Sequence, residues 1–169
     1  VNLVTDGLPG LALAIEPAEK SVMQRPPYPP RENIFGRGMA RDILWIGLLM
    51  GLVSLGVGFL YYRLDPSASP AVWQTVTFTT LTLAQMGNAL ATRSDRDTLW
   101  QIGLFSNKAM LGSVLLTFAL QLAVIYVPFL NRAFSTTPLS LRDLLISLGF
   151  GTIVFFAVEL FKWIQQQKK

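Results

Sequence analysis

The hydrophobic pattern of this chain consists of long apolar runs separated by short polar or proline-containing connections. Four of these runs are about 20 residues long, the length that an α-helix needs to cross a hydrocarbon layer of about 30 Å. The pattern therefore predicts an all-α fold: a polytopic transmembrane helical bundle with four full spans and a partial N-terminal span. The predicted full spans are residues 43–62, 72–91, 109–127 and 141–163.

The segment before the first full span has two parts. Residues 1–15 are apolar but too few to cross a membrane alone. Because the chain begins with Val1 inside this apolar stretch, we interpret residues 1–15 as the inner half of a fifth membrane helix, cut within that helix. Residues 16–42 are polar and rich in proline, which indicates a connecting loop. All 169 residues are expected to form one membrane domain.

Composition supports the membrane assignment and limits the chemistry. Hydrophobic residues make up 51% of the chain and charged residues 14%, whereas a soluble domain carries about 25% charged residues. Cysteine and histidine are absent, which excludes a disulfide framework, a thiolate nucleophile, a zinc cluster and an imidazole base. Any ion site must use carboxylate, hydroxyl, amide and backbone oxygens, and these favour hard cations such as Ca²⁺, Mg²⁺ or Na⁺.

The distribution of the 14 basic residues predicts orientation. They flank the apolar runs instead of forming a basic stripe, so nucleic acid is not an expected partner. Eleven fall in residues 16–42, in the connection between the second and third runs, or at the C-terminus; Arg63, Arg132 and Arg142 fall on the opposite side. Since basic loops stay on the cytoplasmic side, the loop 16–42 and the C-terminus are expected to be cytoplasmic.

The N-terminal apolar segment carries polar side chains that lipid would not tolerate. Asn2, Thr5 and Asp6 stand at positions i, i+3 and i+4, which share one face of a helix. A carboxylate in a membrane span points by default to an ion path or a paired site. Pro9 is expected to loosen the helix around Asp6 and free carbonyl oxygens, so the segment reads as part of a cation site. The alternative is a loop beginning at Asn2, with Asp6 capping a short helix.

The same residues carry a resemblance to a known family. The run Asn-Leu-Val-Thr-Asp-Gly-Leu-Pro (2–9) resembles the sixth transmembrane helix of type II P-type ATPases, especially the calcium pumps and their bacterial relatives. The resemblance covers essentially the whole chain, from within the sixth helix to the tenth. The other motifs that carry it are Ala-x-x-x-Glu-Pro (12–17), Val-Met-x-Arg-Pro-Pro (22–27), Gln-Met-x-Asn-Ala-Leu (85–90), Phe-Ser-Asn-Lys (105–108), Tyr-Val-Pro-Phe-Leu-Asn (126–131) and Glu-Leu-x-Lys (159–162).

This resemblance implies a set of metal ligands. Asn2, Thr5 and Asp6 match family positions that bind the transported cation. Gln85 matches an eighth-helix position that is Glu in pumps binding two calcium ions, whereas plasma-membrane type calcium pumps carry Gln there and move one ion. The resemblance therefore implies one Ca²⁺, with Na⁺ or Mn²⁺ as alternatives, and further ligands on fourth and fifth helices that this chain lacks. From the residues alone, an interhelical hydrogen bond is the favoured role of Gln85, and direct ligation is the alternative.

Within the loop 16–42, the run Arg25-Pro26-Pro27-Tyr-Pro-Pro-Arg31 is too rich in proline to be helical and is expected to be extended. In the resembled family this loop touches the phosphorylation domain, so Arg25, Pro26, Pro27 and Arg31 become candidate coupling residues. The alternative is a plain connector with cytoplasmic positive charge.

Three other polar patterns are interpreted as structural. The threonines of the second run are expected to pack and to bond back to carbonyls of their own helix. Glu159 and Lys162 are expected to pair or to extend towards the interface. Small residues in Gly47-x-x-x-Gly51 and Ser54-x-x-x-Gly58 predict close helix packing within the bundle, with a homodimer face as the alternative.

The resemblance implies that the parent protein is an enzyme: a P-type ATPase that hydrolyses ATP with Mg²⁺, through an aspartyl phosphate, to transport a cation. This chain has no phosphorylation motif and no nucleotide loop, so no cofactor is expected in it. Its expected partners are the lipid bilayer, the transported cation and the other domains of the parent, and its expected location is a bacterial inner membrane. The competing function is a self-contained, non-catalytic membrane module, such as a channel subunit or a helix-packing partner.

Overall fold

A computed structural model describes residues 2–18, 23, 38–64 and 69–167, with side chains from Gly7 onward. These ranges contain helices and connections and no β-strand, which confirms the all-α prediction. A 3₁₀ turn, Leu104–Ser106, lies between α4 and α5. The helices are α1 (Asn2–Ala14), α2 (Met39–Leu64), α3 (Pro70–Ala91), α4 (Leu99–Ile102), α5 (Lys108–Tyr126), α6 (Pro128–Phe134) and α7 (Leu141–Gln167).

Three of the described helices are long and apolar enough to cross a membrane: α2, α5 and α7. Each extends beyond its predicted apolar run at one or both ends, because the helix continues into flanking charged residues such as Asp42 and Arg63. Large apolar side chains on these helices are exposed, among them Leu44, Leu115 and Phe156. An apolar exterior of this kind is what a lipid environment requires.

Helix α3 occupies the centre of the bundle. This position explains why its sequence is less apolar than the sequences of α2, α5 and α7. It contacts α1, α2, α5 and α7, and it has more buried residues than α2, α5 or α7. Four of its threonines are buried and therefore shielded from lipid by neighbouring helices, namely Thr75, Thr79, Thr80 and Thr82. The predicted back-bonding of threonines is confirmed at three positions, where Thr75, Thr77 and Thr82 donate to the carbonyl four residues earlier at 2.7–3.1 Å.

The small residues of α2 have two different environments. Ser54 and Gly58 are buried, and a Cβ atom at Gly58 would overlap the Thr77 hydroxyl of α3. The predicted close packing is confirmed there. A Cβ atom at Gly47 or Gly51 would meet no described residue within 4 Å. At these two positions the prediction of packing within the bundle is wrong for the described part of the chain, and the homodimer alternative stays a prediction.

We name the two ends of the bundle after one polar residue at each, Asp143 and Arg93. At the Asp143 end, Tyr61 of α2 donates a 2.7 Å hydrogen bond to the Asp143 carboxylate of α7. The segment after α5 also turns back at this end, so that Thr136 and Asn131 donate to the last carbonyls of α5. These bonds satisfy carbonyls that have no partner within the helix. The opposite, Arg93 end contains the C-terminal ends of α1, α3 and α7.

Candidate functional site

Helix α1 contains three of the four predicted cation ligands. Asn2, Thr5 and Asp6 all belong to this continuous helix. With 3.6 residues per turn, positions i, i+3 and i+4 of a helix lie on one face, so the three residues share a face of α1. Their side chains lie outside the described part of the structure, and their role as ligands stays a prediction.

Pro9 lies inside α1 without interrupting it. The expected loosening around Asp6 was wrong, since α1 is helical from Asn2 to Ala14. A proline removes only one backbone donor, and α1 also packs against α3 and α5, which support the helix. The missing donor still matters, because the Thr5 carbonyl, four residues earlier, receives no hydrogen bond from Pro9. The Thr5 carbonyl, beside the predicted ligands, therefore lacks the helical hydrogen bond that any residue other than proline would donate from position 9.

Gln85, the fourth predicted ligand, lies on α3 and is half-buried. Helices α1 and α3 are in contact, so the structure brings together the two helices that carry the predicted ligand set. Direct coordination by Gln85 stays a prediction. The candidate coupling residues Arg25, Pro26, Pro27 and Arg31 lie outside the described residues.

The described residues do not form a complete metal centre by themselves. Among them, no group of three or more carboxylate side chains lies close enough to hold a metal ion. Ca²⁺ takes six to eight oxygen ligands, so a calcium site built on the four predicted residues would need oxygens from other groups as well.

A polar cluster with two buried members, Arg93 and Asn107, lies just beyond the C-terminal end of α1. We call it the Arg93 cluster and define it as Glu16, Arg93, Ser106 and Asn107. The Arg93 side chain has no solvent exposure, and its Nη2 lies 2.7 Å from Glu16 Oε1. Arg93 Nε also donates to both Glu16 oxygens, at 3.1 and 3.0 Å. The result is a charge-assisted, forked contact between residues 77 positions apart in the chain.

The remaining donors of Arg93 fix the loop that follows α3. Arg93 Nη1 donates to the carbonyl of Gly103 at 3.2 Å, and Nη2 donates to the Ser106 hydroxyl. Every nitrogen of the guanidinium therefore has a partner, which is what allows a buried arginine to be stable. The loop 92–107 is thereby tied to the segment after α1.

Asn107 joins the Arg93 cluster to α5. Its Oδ1 accepts from the Met110 amide at 2.8 Å and caps the first turn of α5. Its Nδ2 donates to the Ala12 carbonyl of α1 at 3.0 Å and to Glu16 Oε2 at 2.7 Å. One side chain thus begins α5 and also holds the end of α1.

A second buried pair attaches the same loop to α7. Lys162 Nζ lies 2.6 Å from Glu159 Oε1, and both side chains are 6% exposed. The predicted pairing of these residues is therefore confirmed. Lys162 also donates to the carbonyls of Ala91 and Asp97, each at 2.8 Å, and Glu159 accepts from the Leu99 amide at 2.8 Å. The pair joins the end of α3 and the start of α4 to the last helix.

Comparison with known proteins decides the family. A family model described as "Cation transporting ATPase, C-terminus" matches residues 1–164. The chain belongs to this family. Its long apolar helices are accordingly those of an integral, multi-pass membrane domain.

Relatives of this cation-transporting ATPase domain include proteins named as calcium pumps. The chain is 35% identical over 164 residues to "Calcium-transporting ATPase type 2C member 2" of Rattus norvegicus, covering 96% of this chain and 17% of that protein. It is 35% identical over 156 residues to a "Calcium-transporting ATPase" of Bacillus subtilis, covering 92% and 17% respectively. It is 32% identical over 170 residues to "Calcium-transporting ATPase type 2C member 1" of Homo sapiens. The chain thus spans about a sixth of the length of these relatives.

The sequence analysis of this ATPase domain missed the Arg93 cluster. Arg93 was counted only as a basic residue that orients the bundle, and Glu16 and Asn107 were noted only within motifs. A signal was present, since Glu16 ends an apolar segment and Arg93 ends another. Opposite charges at the ends of two apolar helices at the same membrane face are candidates for pairing, but the sequence does not say which charges meet.

Proposed function

We propose that this chain is the C-terminal membrane domain of an ATP-driven calcium pump and contributes part of its intramembrane cation site. Asn2, Thr5, Asp6 and Gln85 would be its ligands, with Asp6 supplying the negative charge. The observation that carries the proposal is the shared face of Asn2, Thr5 and Asp6 on α1, next to a Thr5 carbonyl that Pro9 cannot satisfy. Family membership supports it, as do relatives named calcium-transporting ATPases.

The chemistry of the ligands supports a hard cation. Amide, hydroxyl, carboxylate and backbone oxygens are ligands that Ca²⁺ accepts in variable geometry. One carboxylate gives little charge for two divalent ions, which favours transport of a single Ca²⁺. Mn²⁺ and Na⁺ are the competing substrates to include in the same assays.

The remaining parts of the pump would supply energy and access. ATP and Mg²⁺ would act in domains outside this chain, where an aspartyl phosphate forms and breaks. Movement of those domains would open the site around Asp6 to one face of the membrane and then to the other. The loop with Arg25, Pro26, Pro27 and Arg31 would transmit this movement, with the loop 16–42 and the C-terminus on the cytoplasmic side of a bacterial inner membrane.

The test of the proposed site is Asp6→Asn in the full-length pump. We expect the Ca²⁺ concentration for half-maximal phosphorylation from ATP to rise by about 100-fold or more, since even residues that only support a ligand are worth about 10- to 100-fold in metal affinity. The matched control is Asp95→Asn, which makes the same change at an exposed carboxylate in the loop 92–107. Unchanged Ca²⁺ dependence in Asp6→Asn, with Mn²⁺ and Na⁺ also unaffected, would remove Asp6 from the ligand set.

A further inference from the structure

The Arg93 cluster lies where it can control the position of α1. Its contacts with α1 are at the helix's C-terminal end, through the Ala12 carbonyl and Glu16. Helix α1 is continuous from that end to Asn2. Asp6 lies six residues before Ala12, a distance of about 9 Å at a rise of about 1.5 Å per residue. A shift or rotation of the C-terminal end of a continuous helix moves the residues one or two turns away with it.

The cluster is itself anchored on elements other than α1. Arg93 bonds to the Gly103 carbonyl and to Ser106, and Asn107 caps α5. The loop is also held at α7, because Lys162 bonds to the Ala91 and Asp97 carbonyls. The Arg93 cluster therefore connects α1 to a frame made of α3, α5 and α7.

The contact geometry is restrictive as well as strong. A guanidinium donates in a planar fork, so its bonds to Glu16 fix direction as well as distance. A lysine at the same position would keep the charge but lose the fork. Productive ligand geometry requires positioning within about 0.5 Å, and a forked contact of fixed direction serves that requirement.

We propose that Arg93 and Asn107 are positioning residues for cation binding, which act through Glu16 and the Ala12 carbonyl to fix the depth and rotation of α1 and thereby of Asn2, Thr5 and Asp6. This inference rests on the proposed cation site. It adds that the loop 92–107, which holds no proposed ligand, sets the affinity of that site.

The experiment uses the full-length pump and three variants: Arg93→Lys, Glu16→Gln and Asn107→Ser. Serine is as good a helix N-cap as asparagine, so Asn107→Ser keeps the start of α5 and removes the amide donor to the Ala12 carbonyl and to Glu16. Two quantities are measured, namely equilibrium binding of radioactive Ca²⁺ without ATP and the maximal phosphoenzyme level at saturating Ca²⁺. The control is Arg96→Lys, the same change at an exposed arginine of the same loop.

We expect each variant to weaken Ca²⁺ binding by about 10-fold, as found for residues that hold a metal ligand in place, with the maximal phosphoenzyme level retained. We also expect Glu16→Gln combined with Asn107→Ser to weaken binding by less than the product of the single effects, because the two residues act in one network. Arg96→Lys should bind Ca²⁺ normally.

A purely structural role gives a different result. In that case the variants lower the yield or thermal stability of the pump, and the molecules that fold bind Ca²⁺ with unchanged affinity, which overturns the proposal. If Arg93→Lys does not fold, Asn107→Ser decides alone. The variant Asp6→Asn in the same binding assay separates the two proposals. If Asp6→Asn binds Ca²⁺ normally, the proposed site itself is wrong. If Asp6→Asn loses Ca²⁺ binding while Asn107→Ser binds normally, only the positioning role is rejected.

Discussion

At the scale of single residues, the Glu159–Lys162 pair differs from an ordinary buried ion pair. Such a pair can often be replaced by apolar residues without loss of stability, because the desolvation cost cancels the attraction. Here both side chains also serve backbone groups, namely the Ala91 and Asp97 carbonyls and the Leu99 amide. Replacing the pair leaves these backbone groups without partners, which carries its own cost.

This difference gives a test by double substitution. We expect Lys162→Met to lower the free energy of unfolding by about 3–5 kcal/mol, since it leaves the Glu159 carboxylate buried and unpaired. The double variant Glu159→Leu, Lys162→Met should regain only part of this loss. Thermal unfolding of the purified protein in detergent measures both. Full recovery of the free energy of unfolding in the double variant would mean that the backbone contacts contribute little. The control is Gln165→Met, which adds the same apolar side chain at an exposed position.

At the scale of elements, the close contact between α3 and α7 depends on a glycine. A Cβ atom at Gly151 would lie 2.7 Å from Leu83 Cβ and 3.2 Å from the Ala84 amide nitrogen. Both neighbours belong to the helix at the centre of the bundle, so neither can move away without displacing α3. Gly149, two residues earlier on the same helix, has no described atom within 4 Å of its Cβ position.

The two glycines provide a matched pair of substitutions. We expect Gly151→Ala to lower the unfolding free energy by about 1–3 kcal/mol, as overpacking does. Gly149→Ala should be neutral or raise it by about 0.5–1 kcal/mol, because alanine loses less conformational entropy in a helix. Unfolding temperatures in one detergent give the comparison, and equal effects of the two substitutions would show that α3 and α7 can separate at little cost.

At the scale of the whole molecule, the bundle places polar side chains inside and apolar ones outside. Thr75, Thr79, Thr117 and Gln121 are 0–1% exposed, whereas Leu44, Leu52 and Phe156 are more than half exposed. Gln121 donates to Thr79 across the interface of α3 and α5 at 3.2 Å. In lipid, where apolar contact does not favour helix association, interhelical hydrogen bonds and close packing hold such a bundle together.

The absence of cysteine from this chain makes its proposed orientation easy to test. Gln165, near the end of α7, and Ala133, on α6, are exposed and lie at opposite ends of the bundle. Each can be replaced by a single cysteine. If the Arg93 end is cytoplasmic, a membrane-impermeant maleimide should label Ala133→Cys in intact cells and Gln165→Cys only after permeabilisation. The reversed pattern would invert the proposed topology.

The fold was largely predictable because lipid leaves the backbone few choices. An apolar run of about 20 residues in a bilayer must satisfy its amides and carbonyls internally, so it forms a helix. The paired Glu159 and Lys162 were also predictable, since they stand at positions i and i+3 of one helix. Continuity of α1 through Pro9 was not, because it depends on support from α3 and α5. The contact between Arg93 and Glu16 joins residues distant in sequence, and no local pattern encodes such a partner.

The distance along the chain between Glu16 and Arg93 has a consequence for biosynthesis. Their contact spans 77 residues, and a ribosome adds about 5–20 residues per second, so roughly 4 to 15 seconds pass between synthesis of the two. During that interval the Glu16–Arg93 contact cannot form. If this contact fixes the depth of α1, as proposed above, we expect the helix to take its final position only after α3 and the loop after it have been synthesised.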